Sequence, residues 1–217
     1  MRRALKKALL RLRAWASGLW LFLDPRRLSD VFVLEEATAD SEAAQDVARR
    51  AGEHAGGARA IAERYRLPPV DLAALGALPE GTLGRTFADR MREMGLDPGA
   101  LPRKSAADDV QYVRAHLYET HDLWHVVLGF GVDVAGELGV QAAYAAQNGG
   151  ALPRLLITGG LLHGLVFARA DWPARLAAVA RGYDLARRAQ PLFGVRWHEL
   201  YEEPLARVRE RLAIAAA

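Results

Sequence analysis

The 217-residue sequence contains no cysteine. This absence excludes a disulfide framework, a thiolate metal site and a cysteine nucleophile, so any metal must be held by nitrogen and oxygen. A reducing compartment is compatible with the absence but is not established by it. Hydrophobic residues make up 51% and charged residues 25%, which is a globular composition. The length suits one medium-sized domain or at most two small ones.

The N-terminal part lacks an apolar run that could span a membrane. Its uncharged run, "AWASGLWLFL", has ten residues, whereas a transmembrane helix needs about 20. The sequence also lacks, beyond the N-terminus, a basic stripe with interleaved aromatic residues, so a net charge of +3 does not indicate a nucleic-acid partner.

Residues 1–25 are the one charge-segregated part of the chain, because no acidic residue precedes Asp24. We interpret this segment as a basic amphipathic helix that lies on a membrane surface. Two alternatives stay open: a first core helix with a solvated basic end, and a mitochondrial presequence. The residues behind the interpretation are Arg2, Arg3, Lys6, Lys7, Arg11, Arg13, Trp15, Trp20 and Phe22.

The pattern after residue 40 predicts one helix after another. Asp40 and Ser41 are candidate caps of a helix rich in Ala, Glu and Arg, which we expect Gly56 and Gly57 to break in two. The one candidate strand, "VFVLEE", has no clear partner. Residues 26–217 are therefore predicted to form a single all-α domain, a multi-helix bundle.

A long helix is predicted over residues 106–128, because this stretch has no Gly or Pro and its apolar residues recur at spacings of three and four. Ser105 and Asp108 resemble a capping box before it. Gly129 and Gly131 end the helix, and a second one is predicted over residues 134–147. An almost uncharged helix follows, and Asp171 is the predicted cap of the next.

The stretch "HDLWHVVLGFGVDVAGE", residues 121–137, places four polar groups in an apolar setting. His121 and His125 are four residues apart, so on a helix they share one face and can bind one ion. A tight turn would return Glu137 to their side. Two imidazoles and a carboxylate suit Zn²⁺, Fe²⁺, Co²⁺ or Mn²⁺. Asp122 is a candidate fourth ligand, proton-transfer group or hydrogen-bond acceptor for an imidazole.

Histidine pairs at this spacing are weak evidence alone, and a buried histidine is more often a satisfied core residue. The neighbouring carboxylates favour a metal, because burying them without a partner costs several kcal/mol. His163 lies between Gly160 and Gly164, a pattern that we interpret mainly as helix packing, with substrate contact as the alternative. His54, His116 and His198 have polar neighbours and no assigned role.

The motif of His121, Asp122, His125 and Glu137 resembles the signature of the coenzyme Q biosynthesis protein 4 family. The segments "LPEGTLGRTFADRMREMGLDP", "GELGVQAAYAAQNGGALP" and "LFGVRWHELYEEPLARVRERLAI" are also similar to it, so the resemblance extends over residues 78–212. One departure stands out. Family members usually carry Arg-Tyr-Arg-Glu just before the signature, whereas residues 116–119 read His-Leu-Tyr-Glu. This is typical of a bacterial or divergent member, and the head group that it recognises need not be the usual one.

The resemblance implies a helical fold with a divalent metal at His121, Asp122, His125 and Glu137, zinc being favoured and iron the alternative. It implies a polyprenyl lipid between helices, other quinone-biosynthesis proteins as partners and a homo-oligomer. It also implies a peripheral position on the cytoplasmic face of the bacterial inner membrane, or on the mitochondrial inner membrane in a eukaryote. The implied reaction replaces the C1 carboxyl of a prenylated 4-hydroxybenzoate-derived ring with oxygen, with Asp122 as catalytic residue.

Two other functions are compatible with the residues. A non-catalytic, lipid-binding scaffold of the quinone pathway would use a closed structural metal site with all four side chains bound. A metal hydrolase would use the histidine pair as zinc peptidases do, but those enzymes place Glu directly after the first histidine, where this chain has Asp122.

Overall fold

The computed structural model describes residues 2–24, 28–39, 41–98 and 103–214, which form an all-α fold as predicted. Ala, Leu, Arg and Glu dominate these segments and have high helix propensity. The boundary predicted between residues 25 and 26 lies outside the described residues. The helices are α1 Arg2–Leu23, α2 Leu28–Thr38, α3 Glu42–Ala51, α4 Ala55–Glu63, α5 Leu72–Gly76, α6 Leu83–Glu93, α7 Asp109–Leu128, α8 Val134–Gln147, α9 Ala151–Phe167, α10 Trp172–Arg188 and α11 Leu205–Arg211, with a 3-10 turn at Trp197–Leu200.

The candidate strand "VFVLEE" is helical and belongs to α2. The helix-forming residues that follow it extend the segment, and no strand in the described part of the chain is available to pair with it. The side chains of Ser17 in α1 and Asp30 in α2 are both buried, and the Ser17 hydroxyl donates to the Asp30 carboxylate at 2.6 Å. Tertiary contact thus overrides the β propensity of Val31 and Val33.

Two predicted helix boundaries are wrong by a few residues. The first helix after residue 40 ends at Ala51, with Gly52 as its C-cap, and α4 begins at Ala55, so Gly57 lies inside α4. A Cβ on Gly57 would lie 1.8 Å from the carbonyl oxygen of Ala51, so this glycine allows the two helices to touch. Ser41 caps α3 by accepting from the Ala44 amide, and Asp40 lies outside the described residues.

The long helix α7 begins at Asp109 rather than at residue 106. Its cap is Asp108, whose carboxylate accepts a hydrogen bond of 2.8 Å from the Gln111 amide. The hydroxyl of Ser105 instead donates to the Gln111 side chain at 2.7 Å. Helix α8 has the bounds predicted from the sequence, because Asp133 caps it and Asn148 ends it.

The main core surrounds α7. Trp124 and Leu123 of α7 are fully buried together with Leu83 and Met91 of α6 and Trp197 of the 3-10 turn. Each such side chain contributes roughly 1.5–3 kcal/mol by leaving water. Both faces of α7 are covered, because a second buried cluster packs against its first half; this cluster contains Tyr65, Tyr112 and Phe193.

Helices α8 and α10 pack against each other at two glycines. A Cβ on Gly182 of α10 would lie 2.0 Å from the carbonyl oxygen of Gly139 in α8, so a side chain at this point would collide with backbone. A Cβ on Gly139 would in turn lie 2.4 Å from the Phe130 ring. At Gly139, α8 is therefore held between α10 and the turn that follows α7.

Helices α1 and α9 expose apolar side chains. They touch through Phe22 and Phe167, whose ring centroids are 5.7 Å apart. Leu21 is buried, so α1 packs along one side as a core helix would, while its other side is open. None of the described helices combines the length and apolarity needed to cross a bilayer. We call the exposed large residues of both helices the α1–α9 apolar face; they are Leu9, Leu19, Trp20, Leu23, Leu155, Leu162, Leu165, Val166 and Phe167.

Candidate metal centre

The helical hairpin of α7 and α8 brings three predicted ligands together. His121 and His125 lie one turn apart near the end of α7, and Glu137 lies in the first turn of α8. The Asp133 carboxylate caps α8 by accepting from the Gly136 amide at 2.7 Å, which sets where the first turn begins. The side chains of His121, His125 and Glu137 offer ligand atoms that all lie within 4.8 Å of one another.

The ligand atoms of the three side chains lie close to one another. The Nε2 atoms of His121 and His125 are 3.2 Å apart. The Oε2 atom of Glu137 lies 3.5 Å from Nε2 of His121, and its Oε1 atom lies 3.3 Å from Nε2 of His125. Ligands held at about 2.0–2.1 Å from a tetrahedral metal are separated by about 3.3–3.4 Å. The separations between the three side chains are close to this value, with one carboxylate oxygen turned to each imidazole.

The tautomer of His125 also suits a metal at this centre. Its Nδ1 atom lies 2.9 Å from the carbonyl oxygen of Gly131. A carbonyl can only accept, so Nδ1 carries the hydrogen and, in the neutral ring, Nε2 presents its lone pair to His121 and Glu137. A lone pair that faces a carboxylate is unfavourable without a cation between them. The donor set fits a divalent metal, and a proton is the alternative occupant.

Burial and charge differ among the three side chains. His125 is 1% exposed, whereas the side chains of His121 and Glu137 are 28% and 33% exposed, so the centre opens to solvent on one side. Burial raises the pKa of Glu137, but hydrogen bonds and charge from both histidines lower it more, so that pKa lies well below its usual range. Burial lowers the pKa of His121, while Glu137 raises it, and the net shift is upward.

Asp122, the fourth predicted ligand, lies outside this group of three. It is partly buried, and its charge contributes to raising the pKa of both His121 and Tyr144, so it lies within electrostatic reach of the centre. The hydrogen that orients His125 goes to Gly131, so Asp122 does not accept it. Its proton-transfer role stays a prediction.

Two groups at the centre were missed by the sequence analysis. One is the Gly131 carbonyl; the other is Tyr144, whose hydroxyl lies 3.1 Å from Nδ1 of His121. Tyr144 follows Glu137 by seven residues, two helical turns, so both project from the same face of α8. That spacing was visible in the sequence, but only the antiparallel packing of α7 and α8 shows that this face meets the histidines.

Three arginines hold the turn that follows α7. They come from α6, α10 and α11 and bind carbonyls of residues 126–130: Arg209 donates at 2.8 and 3.0 Å, Arg181 at 2.8 Å, and Arg90 to the last carbonyl. The final carbonyls of a helix have no intrahelical partner and carry partial negative charge, so guanidinium groups suit them. The turn that carries Gly131 is thereby anchored from three sides.

The remaining histidines lie apart from this group. Nδ1 of His163 in α9 accepts from the guanidinium of Arg175 at 3.0 Å, while Gly160 packs against Leu138 and Gly164 against Arg175. These contacts fit the interpretation of the segment around His163 as a place where helices pack. His116 is fully buried between aromatic rings, contrary to its expected polar surroundings.

Comparisons with known proteins agree with one another. The family model described as coenzyme Q (ubiquinone) biosynthesis protein Coq4 matches residues 3–217. The mitochondrial ubiquinone biosynthesis protein COQ4 of Eremothecium gossypii is 30% identical over 204 residues, which cover 91% of this chain and 62% of that protein. The chain thus spans less than two thirds of that relative. The mitochondrial COQ4 homolog of Rattus norvegicus is 32% identical over 212 residues, or 94% of this chain and 77% of the rat protein.

A solved structure is similar along almost the whole chain. It is the crystal structure of a Nostoc punctiforme protein with a suggested role in ubiquinone biosynthesis. The TM-score is 0.83 at 25% identity, and the alignment covers 95% of this chain and 99% of that one.

Proposed function

Because the chain belongs to the coenzyme Q (ubiquinone) biosynthesis protein Coq4 family, we propose that it acts in ubiquinone biosynthesis as a metal-dependent enzyme. Its substrate is a polyprenylated ring derived from 4-hydroxybenzoate, whose C1 carboxyl it replaces with hydroxyl. The named relatives are ubiquinone biosynthesis proteins, which supports the pathway. The reaction itself rests on the chemistry of the candidate metal centre.

The observation that carries the proposal is a three-ligand centre that is buried on one side and open on the other. A structural site binds its metal with four protein ligands, whereas a catalytic site keeps a position for substrate. Here His121, His125 and Glu137 form the group, and Asp122 lies outside it. The partial exposure of His121 and Glu137 gives substrate a direction of approach.

The residues of the centre would have two roles. His121, His125 and Glu137 would hold the metal, and Asp122 would accept or donate a proton during the reaction. A divalent metal, when bound, supplies a Lewis acid for the ring carboxylate, and iron, unlike zinc, could also exchange electrons. Replacing carboxyl by hydroxyl releases CO₂ and oxidises the ring carbon, so an oxidant such as O₂ must take part.

The polyprenyl tail is proposed to lie along α9. This 17-residue helix carries one charged residue, Arg154, and exposes several large apolar side chains. It packs directly on α8, where a Cβ on Gly160 would come within 2.6 Å of Leu138, the residue after Glu137. A tail on α9 would therefore extend away from a ring held at the metal centre.

The remaining partners and the location are part of the same proposal. The basic residues of α1 and the α1–α9 apolar face support peripheral attachment to the membrane in which quinone is made. In a bacterium this is the cytoplasmic face of the inner membrane, and in a eukaryote it is the mitochondrial inner membrane. The names of the relatives describe those proteins as mitochondrial. Membership of the family leads us to propose also a homo-oligomer and contacts with other quinone-biosynthesis proteins.

Complementation of a strain that lacks its own family member tests catalysis. Wild type should restore quinone and remove a precursor that still has its C1 carboxyl, measured by mass spectrometry. His121→Ala should restore neither, whereas His54→Ala, which changes an exposed histidine elsewhere, should behave as wild type. Full rescue by His121→Ala would contradict the enzymatic proposal and favour a scaffold, because a scaffold needs the fold and the apolar face but no open metal position.

A further inference from the structure

Tyr144 contacts His121 at the metal centre, and the proposed function gives it no part. It is 8% exposed and projects from α8 two turns after Glu137. Its ring stacks on His121, with centroids 5.9 Å apart and planes inclined by 30°, and packs against Trp124 at 4.5 Å. The ring is thus held on two sides, and its hydroxyl has a defined position.

The hydroxyl of Tyr144 has two neighbours that can form hydrogen bonds. The carbonyl oxygen of Leu117 lies 3.4 Å away, and Nδ1 of His121 lies 3.1 Å away. A carbonyl only accepts, and a phenol has one hydrogen to donate. When that hydrogen goes to Leu117, the phenol oxygen accepts from Nδ1 of His121, and Nε2 is left with its lone pair directed at His125 and Glu137.

The two histidines differ in how they are oriented. His125 is fully buried and donates to the Gly131 carbonyl, a backbone group that is independent of residue identity. His121 is more exposed, and its Nδ1 atom faces a side chain. One substitution, at Tyr144, can therefore release the orientation of His121 while leaving that of His125 in place.

We infer that Tyr144 is a positioning residue that holds His121 with the hydrogen on Nδ1, so that both imidazoles present Nε2 lone pairs to the same ion. This inference rests on the proposed metal centre and deepens it. Groups that orient metal-binding histidines typically contribute 10–100-fold to metal affinity. Tyr144 would act through His121 and would not itself touch the metal or the substrate.

The first experiment measures metal affinity. Metal-free wild type, Tyr144→Phe and Tyr112→Phe are titrated with Zn²⁺ against a chromophoric chelator, at constant pH. Tyr144→Phe should bind about 10–100-fold more weakly. Tyr112→Phe is the matched control, because Tyr112 is also buried and its hydroxyl also donates to a carbonyl, that of Tyr65 at 2.7 Å. It should bind Zn²⁺ as wild type does.

The second experiment distinguishes orientation from general stability. Nitrogen-15 NMR of the histidine rings in metal-free protein should show His121 with hydrogen on Nδ1 in wild type and a mixture of tautomers in Tyr144→Phe. Wild-type His121 with hydrogen on Nε2 would overturn the inference without any variant. Unchanged affinity in folded Tyr144→Phe would overturn it too. If wild type itself bound no metal, the proposed function would fail, while the tautomer measurement would still decide the role of Tyr144.

Discussion

At the scale of single residues, uncharged groups orient the two imidazoles of the candidate metal centre. The carbonyl of Gly131 orients His125, and the phenol of Tyr144 faces His121, so neutral groups set the directions in which the imidazoles point. The net effect is a small region where lone pairs and a carboxylate converge. Such a region is stabilised by a cation. Gly131 and Tyr144, which the sequence motif does not include, contribute to it.

Removal of either histidine should abolish metal binding. Purified wild type is expected to hold about one divalent ion per chain, measured by elemental analysis after dialysis, and His121→Ala and His125→Ala should hold almost none. Two remaining ligands leave the ion exposed to water and to chelators. His54→Ala is the control, because that side chain is exposed and lies outside the group. Equal metal content in all four proteins would show that the ion is bound elsewhere.

His116 should make the fold sensitive to acid. Burial lowers the pKa of His116 to about 4, and this cause outweighs the neighbouring Glu119, which raises it. The unfolded chain has a histidine pKa of about 6.5, so between about pH 6.5 and pH 4 it binds a proton at this residue that the folded chain does not bind. Because of His116, the free energy of unfolding is highest above about pH 6.5 and falls by about 3 kcal/mol as the pH drops to about 4.

Urea unfolding at a series of pH values measures this loss. In His116→Gln the free energy of unfolding should change less between about pH 6.5 and pH 4 than in wild type, whatever the starting stability of the variant. All other residues are the same in both proteins, so the difference between the two curves isolates His116. Parallel curves would mean that His116 is protonated in the folded chain.

At the scale of elements, the turn after α7 packs directly against the first turn of α8. A Cβ on Gly136 would lie 2.1 Å from the carbonyl oxygen of Gly131, the oxygen that accepts from His125. The absence of a side chain at position 136 therefore lets the turn rest on the helix and aim its carbonyl at the imidazole. Anchoring by three arginines from other helices keeps the turn in this place.

Gly136→Ala should weaken both the fold and the metal centre. The added methyl group collides with backbone, and overpacking of this kind costs about 1–3 kcal/mol. Displacement of Gly131 should also release His125, so Zn²⁺ affinity should fall by about 10-fold or more. Gly159→Ala is the matched control, since a Cβ there meets nothing within 4 Å and Ala favours helix. Wild-type affinity in Gly136→Ala would show that the turn does not orient His125.

At the scale of the whole molecule, polar chemistry and apolar surface are separated. The metal centre lies between α7 and α8, whereas the apolar face is formed by α1 and α9. A molecule arranged in this way can rest on a bilayer with its apolar side and keep its centre within reach of a lipid ring. This arrangement supports peripheral attachment.

The full chain should bind anionic vesicles through this face. Co-sedimentation with vesicles of phosphatidylglycerol and phosphatidylcholine should fall several-fold in the double variant Trp20→Glu and Leu165→Glu, because both side chains are about half exposed on the face. Leu96→Glu changes an equally exposed apolar residue after α6 and should bind as wild type does. Higher salt should weaken binding, because basic residues contribute attraction to anionic lipids.

Deletion of residues 2–22 separates the two interpretations of α1. A folded, helical protein that no longer sediments with vesicles would support a membrane-binding segment. Failure of the shortened chain to fold would instead indicate that α1 is a core helix, which its buried Leu21 and its bond from Ser17 to Asp30 would explain.

The sequence by itself determined the helical class, the bounds of α8, and the three residues that converge at the candidate centre. These features depend on local rules: helix propensity, a cap at Asp133, and the four-residue spacing of His121 and His125. Tertiary structure alone decided that "VFVLEE" is helical, that Asp122 lies outside the group, and that His116 is buried among aromatic rings. It also decided that Tyr144 and the Gly131 carbonyl meet the histidines. Each of these depends on contacts between segments that are distant or reversed in direction, and no periodicity within one segment encodes the partner that it will meet.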